Sequence, residues 1–263
     1  MEPWQLRLYR HSLMKKDKVR LVSSQVDFSG CRVLDIGCSN GAVSCFLKKE
    51  GGEWVHADLD LENLRTARPV LGLELFQMGE SRLPLGDNSM DLIMALDILE
   101  HLEHDRAMVG EIFRILRPGG SAVVSTPISG GFFLINYLKR LAGMGPEIYG
   151  HVREGYSLAE LTTLLNSYGF SVIRATTYAK FFTELFEFLL NLGFTRLNRV
   201  KKSQLRSGAI SPSSSRDLDK HGGLYRLYTR VFYPLVRLVS RLDLLLPFKT
   251  GYATLVIVCK PHN

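Results

Sequence analysis

The stretch VLDIGCSNG, residues 33–41, joins a short apolar run to a glycine loop. The apolar residues from Cys31 to Ile36 predict a buried strand, and a helical pattern starts at Ala42, directly after the glycines. A strand, a glycine loop and a helix in this order place a ligand above the carboxyl end of a sheet. The stretch therefore predicts the binding loop of an α/β fold.

This loop differs from the loops that hold phosphates. Gly37 and Gly41 have the spacing GxxxG, whereas NAD and FAD sites use GxGxxG. Asp35 stands just before the first glycine, where its carboxylate would repel a pyrophosphate. No Gly-Lys-Ser/Thr follows, which excludes a P-loop. The loop is better suited to a ligand that bears an amine or a sulfonium.

Strands and helices alternate on both sides of this loop. The predicted strands cover residues 31–36, 54–59, 73–78, 91–96, 121–125, 170–177 and 252–260. Strands that are separated by helices pair in parallel and are covered on both faces. We therefore expect a Rossmann-like α/β fold with a seven-stranded, mostly parallel sheet, helices on both faces and a helical insertion before the last strand.

The chain divides into four predicted parts. Residues 1–29 form a basic N-terminal helix, residues 30–179 the ligand-binding domain, residues 180–250 the helical insertion, and residues 251–263 the last strand and the tail. The insertion contains apolar helical stretches at 181–192 and 224–246. Between them, residues 201–223 are rich in Ser, Lys, Arg and Gly, which predicts a mobile loop.

The second predicted strand ends in WVHADLD, residues 54–60. A carboxylate at the position of Asp58 is well placed to accept two hydrogen bonds from a ribose diol. Asp60 falls beyond the strand, where it is more typical of the start of the next helix.

Four blocks carry a family resemblance. VLDIGCSNG, HADLD, LPLGDNSMDLIMALDILEHLEHD and ILRPGGSAVVSTP resemble, in order and spacing, the class I S-adenosylmethionine-dependent methyltransferases over roughly residues 30–178. The resemblance implies S-adenosylmethionine as the cofactor. It also implies that the loop backbone lies against the methionine end, that Asp35 helps to hold the amino group, and that Asp58 holds the ribose.

The cofactor-binding residues that the resemblance implies are Asp35, Gly37, Cys38, Ser39, Gly41, Asp58, Leu59, Gly79, Glu80 and Ala95. The chain departs from the family at two points. Ser39 stands where many relatives have a third glycine. In MGESRLP, Gly79 stands where relatives often have the aspartate that meets the adenine, so either Glu80 or a backbone amide would take its place.

Two further stretches supply candidate catalytic residues. LEHLEHD, residues 99–105, is typical of a metal site or general base, or of a helix start whose acids suit the helix dipole, with His101 packed beneath the loop. The second interpretation is commoner in the family, so no metal is predicted. In GHVREGYSLAELTTLLNSYGF, residues 150–170, either His151 and Tyr156 face the acceptor, or His151 orders the turn before a helix that Ser157 caps.

The insertion suggests a partner. Arg226, Arg230, Arg237 and Arg241 share one helical stripe beside a broad apolar face, and Pro234 predicts a kink. Residues 224–248 therefore predict contact with an anionic membrane surface; the alternative is a helix packed on the domain. Nucleic acid is disfavoured because its binding sites surround basic groups with polar ones.

The net charge and the cysteines indicate where in the cell the protein is expected. The net charge is +7, and the four cysteines show no pairing pattern, which indicates reduced thiols in the cytoplasm. No signal peptide or membrane-spanning run is recognised, so we expect a cytoplasmic protein, with peripheral contact at the inner face of the membrane as the finer hypothesis.

Three functions remain open at this stage. The preferred one is methyl transfer to an apolar or lipid-linked small-molecule acceptor. The alternatives are a soluble small-molecule methyltransferase, acting on a quinone, polyketide or sugar with the insertion as lid, and a non-catalytic cofactor-binding partner protein.

Overall fold

The computed structural model describes residues 2–128, 134–144, 149–198, 222–246 and 250–262. Its strands are β1 (Arg32–Ile36), β2 (Glu53–Asp58), β3 (Leu75–Gln77), β4 (Met90–Leu96), β5 (Leu116–Pro127), β6 (Ser171–Tyr178) and β7 (Ala253–Cys259). Its helices are α1 (Trp4–Arg10), α2 (Leu13–Ser23), α3 (Ala42–Leu47), α4 (Leu61–Leu71), α5 (Asp105–Ile115), α6 (Leu134–Leu141), α7 (Leu158–Ser167), α8 (Phe181–Asn198), α9 (Gly222–Leu227) and α10 (Tyr233–Val239).

The strands form one sheet in the order β3-β2-β1-β4-β5-β7-β6. β1 to β5 pair in parallel, and β7 runs antiparallel between β5 and β6. The predicted Rossmann-like, mostly parallel seven-stranded sheet is thus confirmed. The order reverses between β1 and β4, and such a reversal opens a crevice at the carboxyl ends of the strands.

The central strands of the sheet are buried on both faces, which is why β1, β4 and β7 are largely apolar. Leu34 and Ile36 of β1 point to one face and pack in the same core as Ile112 of α5. Val33 points to the other face, in the core that contains Val22 of α2. All are fully buried. Since α2 covers one sheet face, the N-terminal segment belongs to the same core as the sheet.

The N-terminal segment contains two helices rather than the predicted single one. The helical conformation is interrupted between α1 and α2, where the Ser12 hydroxyl accepts a hydrogen bond from the Lys15 amide at 3.3 Å. This N-cap satisfies one of the free amides at the start of α2 and fixes the break.

Two other element boundaries differ from the predictions. The helix start that LEHLEHD suggests lies at Asp105, the last residue of that stretch, because Leu102 is extended and fully buried after a single 3₁₀ turn at Leu99–His101. β5 starts at Leu116, ahead of the strand predicted at residues 121–125, and includes residues 117–120 as a bulge, where the pairing skips from Leu116 to Ser121.

The insertion packs against the N-terminal helices. The Tyr225 hydroxyl donates to the Arg7 carbonyl at 2.9 Å, the Tyr228 hydroxyl to the His11 carbonyl at 2.9 Å, and the Lys16 ammonium to the Tyr233 hydroxyl at 2.8 Å. Pro234 lies in the first turn of α10, directly after a π-helical turn at residues 228–232, so the regular α-helix is interrupted next to the position where the sequence predicts a kink. Residues 199–221, most of the predicted mobile loop, lie outside the described residues.

The outward side of this segment is apolar and basic. Its exposed apolar residues recur every three or four positions, and we call this set, with the exposed arginines beside it, the leucine–arginine face. It comprises Leu227, Val231, Leu235, Leu238, Leu242 and Leu245, with Arg226, Arg230, Arg237 and Arg241. Among the helices that the structure describes, none has the length and hydropathy to span a bilayer.

Candidate functional site

The glycine loop closes tightly against the end of β2. Gly37 has a φ of +82°, and a Cβ atom there would lie 2.8 Å from the Ile98 side chain, so only glycine fits. The Gly37 and Cys38 amides donate to the Ala57 carbonyl at 2.8 and 3.1 Å. Gly41, with a φ of +78°, precedes the first residue of α3. The backbone at the crevice is therefore bare and rigid.

Asp58 anchors this loop from the carboxyl end of β2. Its Oδ2 accepts from the Ser39 amide at 2.7 Å, and its Oδ1 accepts from the Asp60 amide and the Asn63 side chain, both at 3.0 Å. A carboxylate has about four acceptor sites, so one remains for a ligand hydroxyl. Asp60 caps α4 by accepting from the Glu62 amide, as predicted.

Ser39 takes the place of a glycine without changing the geometry. Its φ of +50° is left-handed, a conformation that costs a serine about 1–2 kcal/mol. The hydrogen bond from its amide to Asp58 holds it there. The loop and the acid are thus built as one unit.

Asp35 has a partner that the sequence did not suggest. It lies opposite His56 in the β1–β2 pairing, and its Oδ2 is 2.9 Å from the His56 Nδ1. Both side chains are buried, and the His56 Nε2 has no hydrogen-bond partner. The carboxylate therefore lies beneath the loop, paired with an imidazole, and would influence a ligand through the field that it adds to the crevice.

The other predicted cofactor residues occupy the same edge in different ways. Burial raises the pKa of the Cys38 thiol and leaves only its backbone at the loop surface. Ala95 is buried in β4 between Ile36 and Val124, and Leu59 packs on the core. Gly79 follows Met78, whose amide donates to the Asp58 carbonyl at 3.0 Å, so Gly79 and Glu80 come next to this edge.

A cavity of about 420 Å³ opens past the carboxyl ends of β4 and β5, and none of the predicted cofactor-binding residues is among the residues that line it. It is lined by the ends of β4 and β5 and by residues of α1, α2, α6 and α8, so the insertion and the N-terminal helices both supply walls. His101 and His151, two of the predicted catalytic residues, face it with their rings 4.7 Å apart at 84°.

Tyr156, the third predicted catalytic residue, is not among the residues that line this cavity. Its hydroxyl donates to the Asp105 carboxylate, which Arg153 also binds. Ser157 forms the predicted cap of α7, and Glu160 completes a capping box. The structure therefore gives Tyr156 a bonding role at the start of α5 and α7.

Asp97 lines the cavity and was missed by the sequence analysis. It follows β4 directly with a strained φ of +55°, and its Oδ1 accepts from the Ser125 hydroxyl at 2.6 Å. Its other oxygen forms an ion pair with the buried Lys18 of α2. Burial alone would raise the pKa of Asp97, but the Lys18 ammonium outweighs it and the net shift is downward. An acid directly after a strand beside the topological reversal was the available signal.

The histidine side of the cavity has strongly perturbed groups. Burial lowers the pKa of His151 to about 4, with His101 adding to the shift, so the imidazole is neutral at pH 7. Burial raises the pKa of Glu100 well above its usual range, and Asp97 adds to this. Perturbed groups of this kind concentrate at functional sites.

The wall that α6 and α8 form is charged, although the stretch 181–192 of α8 is apolar overall. Lys139 of α6 forms an ion pair with Glu184 of α8, and both line the cavity. Burial raises the pKa of Glu187, with Glu184 adding to it. The exposed Leu189 and Leu190 do not line the cavity.

Comparisons with known proteins agree with this geometry. Residues 34–124 match the family model of a methyltransferase domain. A probable S-adenosylmethionine-dependent methyltransferase of Mycolicibacterium smegmatis is 32% identical over 148 residues, which cover 55% of this chain and 53% of that protein. A ubiquinone biosynthesis O-methyltransferase of Xanthomonas oryzae pv. oryzae is 28% identical over 159 residues, which cover 56% of this chain and 65% of that protein.

These matches span between about half and two thirds of the length of the two relatives. Among solved structures, the [4+2]-cyclase SpnF superposes with a TM-score of 0.61 at 15% identity, covering 94% of this chain and 80% of that chain. At this identity the likeness shows the fold alone, since one fold can host different reactions.

Proposed function

We propose that the chain is a class I S-adenosylmethionine-dependent methyltransferase, and that it transfers the cofactor's methyl group to a small-molecule acceptor held in the 420 Å³ cavity. The observation that carries this proposal is the joining of the glycine loop to Asp58 at the carboxyl ends of β1 and β2, in the same sheet whose β4 and β5 ends line the cavity. The bound cofactor would supply a methyl group on a positively charged sulfonium.

The loop residues fit that cofactor. Gly37, Ser39 and Gly41 present backbone without crowding side chains, and Asp58 retains one free acceptor site for a ribose hydroxyl. The nearby carboxylates Asp35 and Asp58 favour a cationic ligand over a phosphate. The residues would hold the methionine and ribose ends while the cavity remains open to the acceptor.

We propose an acceptor with an apolar body and a polar reacting group, in keeping with an apolar or lipid-linked molecule. Leu8, Met14 and Met144 offer apolar contacts in the cavity, whereas His101 and His151 bring nitrogen atoms to it. The neutral His151 can receive a proton from the acceptor as the methyl group arrives. The charged pairs of the α6–α8 wall hold that wall in place.

Positioning is the main contribution that these residues can make. A rigid loop and a walled cavity convert a bimolecular encounter into a reaction within one complex, which can lower the barrier by about 7–11 kcal/mol. In the alternative with a soluble quinone, polyketide or sugar, α6 and α8 act as the lid, which their place in the cavity wall supports. In the non-catalytic alternative, the same loop would bind the cofactor without turnover.

We also propose that the leucine–arginine face rests on an anionic membrane surface at the inner, cytoplasmic side. Its apolar residues are exposed, with Leu238 60% and Leu245 78% accessible, and an arginine directly precedes four of them. Apolar side chains enter the headgroup boundary, and each nearby arginine contributes about 1 kcal/mol of attraction to anionic lipid. A lipid-linked acceptor would then reach the cavity from the bilayer.

Calorimetric titration with S-adenosylmethionine and S-adenosylhomocysteine tests the proposed function first. We expect both to bind with a one-to-one stoichiometry. A labelled-methyl assay on lipid and quinone extracts would then identify the acceptor. Absence of binding by both compounds would overturn the proposal, and binding without transfer to any extract would favour the partner-protein alternative.

A further inference from the structure

We propose that Glu100, His101 and His151 form a binding site for one divalent transition-metal ion at the wall of the cavity. One potential ligand atom from each residue lies within 4.8 Å of the others. All three residues line the cavity, so an ion held between them would be open to whatever the cavity contains. No metal was predicted here, because the sequence alone does not show that His151 lies beside Glu100 and His101.

The carboxylate of Glu100 gives an independent reason to expect a cation. Glu100 is only 1% exposed, and its Oε2 atom has no hydrogen-bond partner. A buried polar atom without a partner costs about 1–3 kcal/mol, and more if it is charged. A metal ion between Glu100 and the two imidazoles would satisfy this atom.

The ring of His101 is held in the orientation that a ligand needs. Its Nδ1 lies 3.0 Å from the Gly150 carbonyl oxygen. A carbonyl only accepts, so Nδ1 carries the proton and the lone pair is on Nε2. Metal-binding histidines commonly fix their tautomer through such a bond to a backbone carbonyl.

The backbone holds His151 against the other two residues. The Val152 amide donates to the Glu100 carbonyl at 3.0 Å. Val152 directly follows His151 in the chain, and Gly150, which bonds His101, directly precedes it. These two hydrogen bonds clip residues 150–152 to the 3₁₀ turn at Leu99–His101. The three ligands therefore come from two segments whose spacing is fixed without an ion.

The donor set narrows the identity of the ion. Two imidazoles and one carboxylate suit Zn²⁺, Mn²⁺, Fe²⁺ or Co²⁺, whereas Ca²⁺ and Mg²⁺ prefer oxygen ligands. Three protein ligands leave at least one coordination position open, as catalytic zinc sites do. We expect Zn²⁺ and Co²⁺ to bind most readily among common probes.

The use of the ion rests on the proposed function. An acceptor hydroxyl in the open position would have its pKa lowered by the ion, in the way that metal-bound water does. With His151 engaged as a ligand and no longer available as a base, the proton would leave to solvent. The oxygen would then take the methyl group while the sulfur keeps the bonding pair. This favours acceptors whose reacting atom is oxygen.

Metal titration of the tag-free chain, after removal of bound ions by a chelator, tests the site without requiring activity. We expect one Zn²⁺ per chain by calorimetry and visible absorption bands on addition of Co²⁺. Glu100→Gln and His151→Ala should each weaken Zn²⁺ binding about tenfold or more. His262→Ala is the matched control, since His262 is exposed and belongs to neither of the two groups in the described part of the chain whose side chains could hold a metal ion.

The outcomes separate the site from the function. Unchanged Zn²⁺ affinity in both Glu100→Gln and His151→Ala, or no binding by the unmodified chain, would overturn the metal site. Glu100→Gln keeps the side-chain shape, and thermal unfolding confirms that each variant is folded. Zn²⁺ binding in a chain that does not bind S-adenosylmethionine would preserve the site and remove the proposed function.

Discussion

The Lys18 ammonium of α2 forms an ion pair with the Asp97 carboxylate, which follows β4 at the wall of the cavity. This pair connects an N-terminal helix to the centre of the sheet across 79 residues of sequence. Ser125 of β5 donates to the same carboxylate. The ion pair and the hydrogen bond from Ser125 thus fix α2, the end of β4 and β5 relative to one another at the site.

Replacement of Lys18 should destabilise the fold. Lys18→Met leaves the Asp97 charge without its partner, and loss of a fully buried partner costs about 3–5 kcal/mol. Because the Asp97 side chain is 32% exposed, we expect a smaller loss in the free energy of unfolding, about 1–3 kcal/mol. Urea unfolding measures it. Arg20→Met, at an exposed pair with Asp17, should cost at most about 1 kcal/mol, and equal losses would contradict a special role for Lys18.

The same pair should make stability depend on acid pH. The pKa of Asp97 is lowered in the folded state, so the folded protein holds this proton less tightly than the unfolded chain. The stabilisation is complete above the unfolded pKa of about 4 and is lost as the pH falls through the folded pKa. The difference in unfolding free energy between the original chain and Lys18→Met should therefore shrink below about pH 4. A constant difference from pH 7 to pH 3 would contradict this.

Replacement of Asp58 should weaken binding of the cofactor. Asp58→Ala removes a charged acceptor worth about 1.5–3 kcal/mol per hydrogen bond, which corresponds to roughly a tenfold to 150-fold rise in the Kd for S-adenosylmethionine. Calorimetry measures it. Asp60→Ala is the control, since it removes the cap of α4 at a cost of about 1 kcal/mol in stability and should leave the Kd unchanged. Similar Kd values for both variants would contradict the assignment of Asp58 as the residue that binds the ribose.

Tyr156→Phe should affect stability and leave turnover unchanged. The variant loses one hydrogen bond to Asp105, which costs about 0.5–1.5 kcal/mol, while Arg153 still pairs with that carboxylate. Thermal unfolding and the labelled-methyl assay measure the two effects. A large fall in turnover with normal stability would return Tyr156 to the list of catalytic residues.

Acidic substitutions on the leucine–arginine face should weaken membrane binding. Leu235→Asp combined with Leu238→Asp places two acids on this face and should reduce cosedimentation with vesicles that contain anionic lipid. Leu73→Asp is the control, because Leu73 is 72% exposed before β3 and outside the face. Binding by the unmodified chain should weaken at high salt. Equal recovery of the two variants would argue that this face packs elsewhere.

The sequence predicted the parts of the site that depend on local order. Gly37, Gly41 and Asp58 could be placed because a loop and a strand end follow directly from the pattern of apolar residues. Pro234 was informative for the same reason, since proline acts on its own turn. These residues carry their structural meaning within a few positions of themselves.

The parts that were missed depend on contacts between distant segments. Lys18 resembles the other basic residues of its helix, and only the packing of α2 on the sheet brings it to Asp97. His56 meets Asp35 because of the register between two strands. Tyr156 was a candidate for the acceptor side, whereas its hydroxyl donates to Asp105 of another helix. Patterns along one segment do not report such pairings.

The position of β7 has a consequence for how the protein is made. This strand lies between β5 and β6 inside the sheet, although it follows both of them along the chain. Until residues 253–259 emerge, β5 and β6 have no shared neighbour and Ala253 cannot complete the cavity wall. A nascent chain can therefore form the glycine loop early, while the acceptor pocket becomes complete only after β7 has been synthesised. Translation itself would delay any reaction until the whole fold is available.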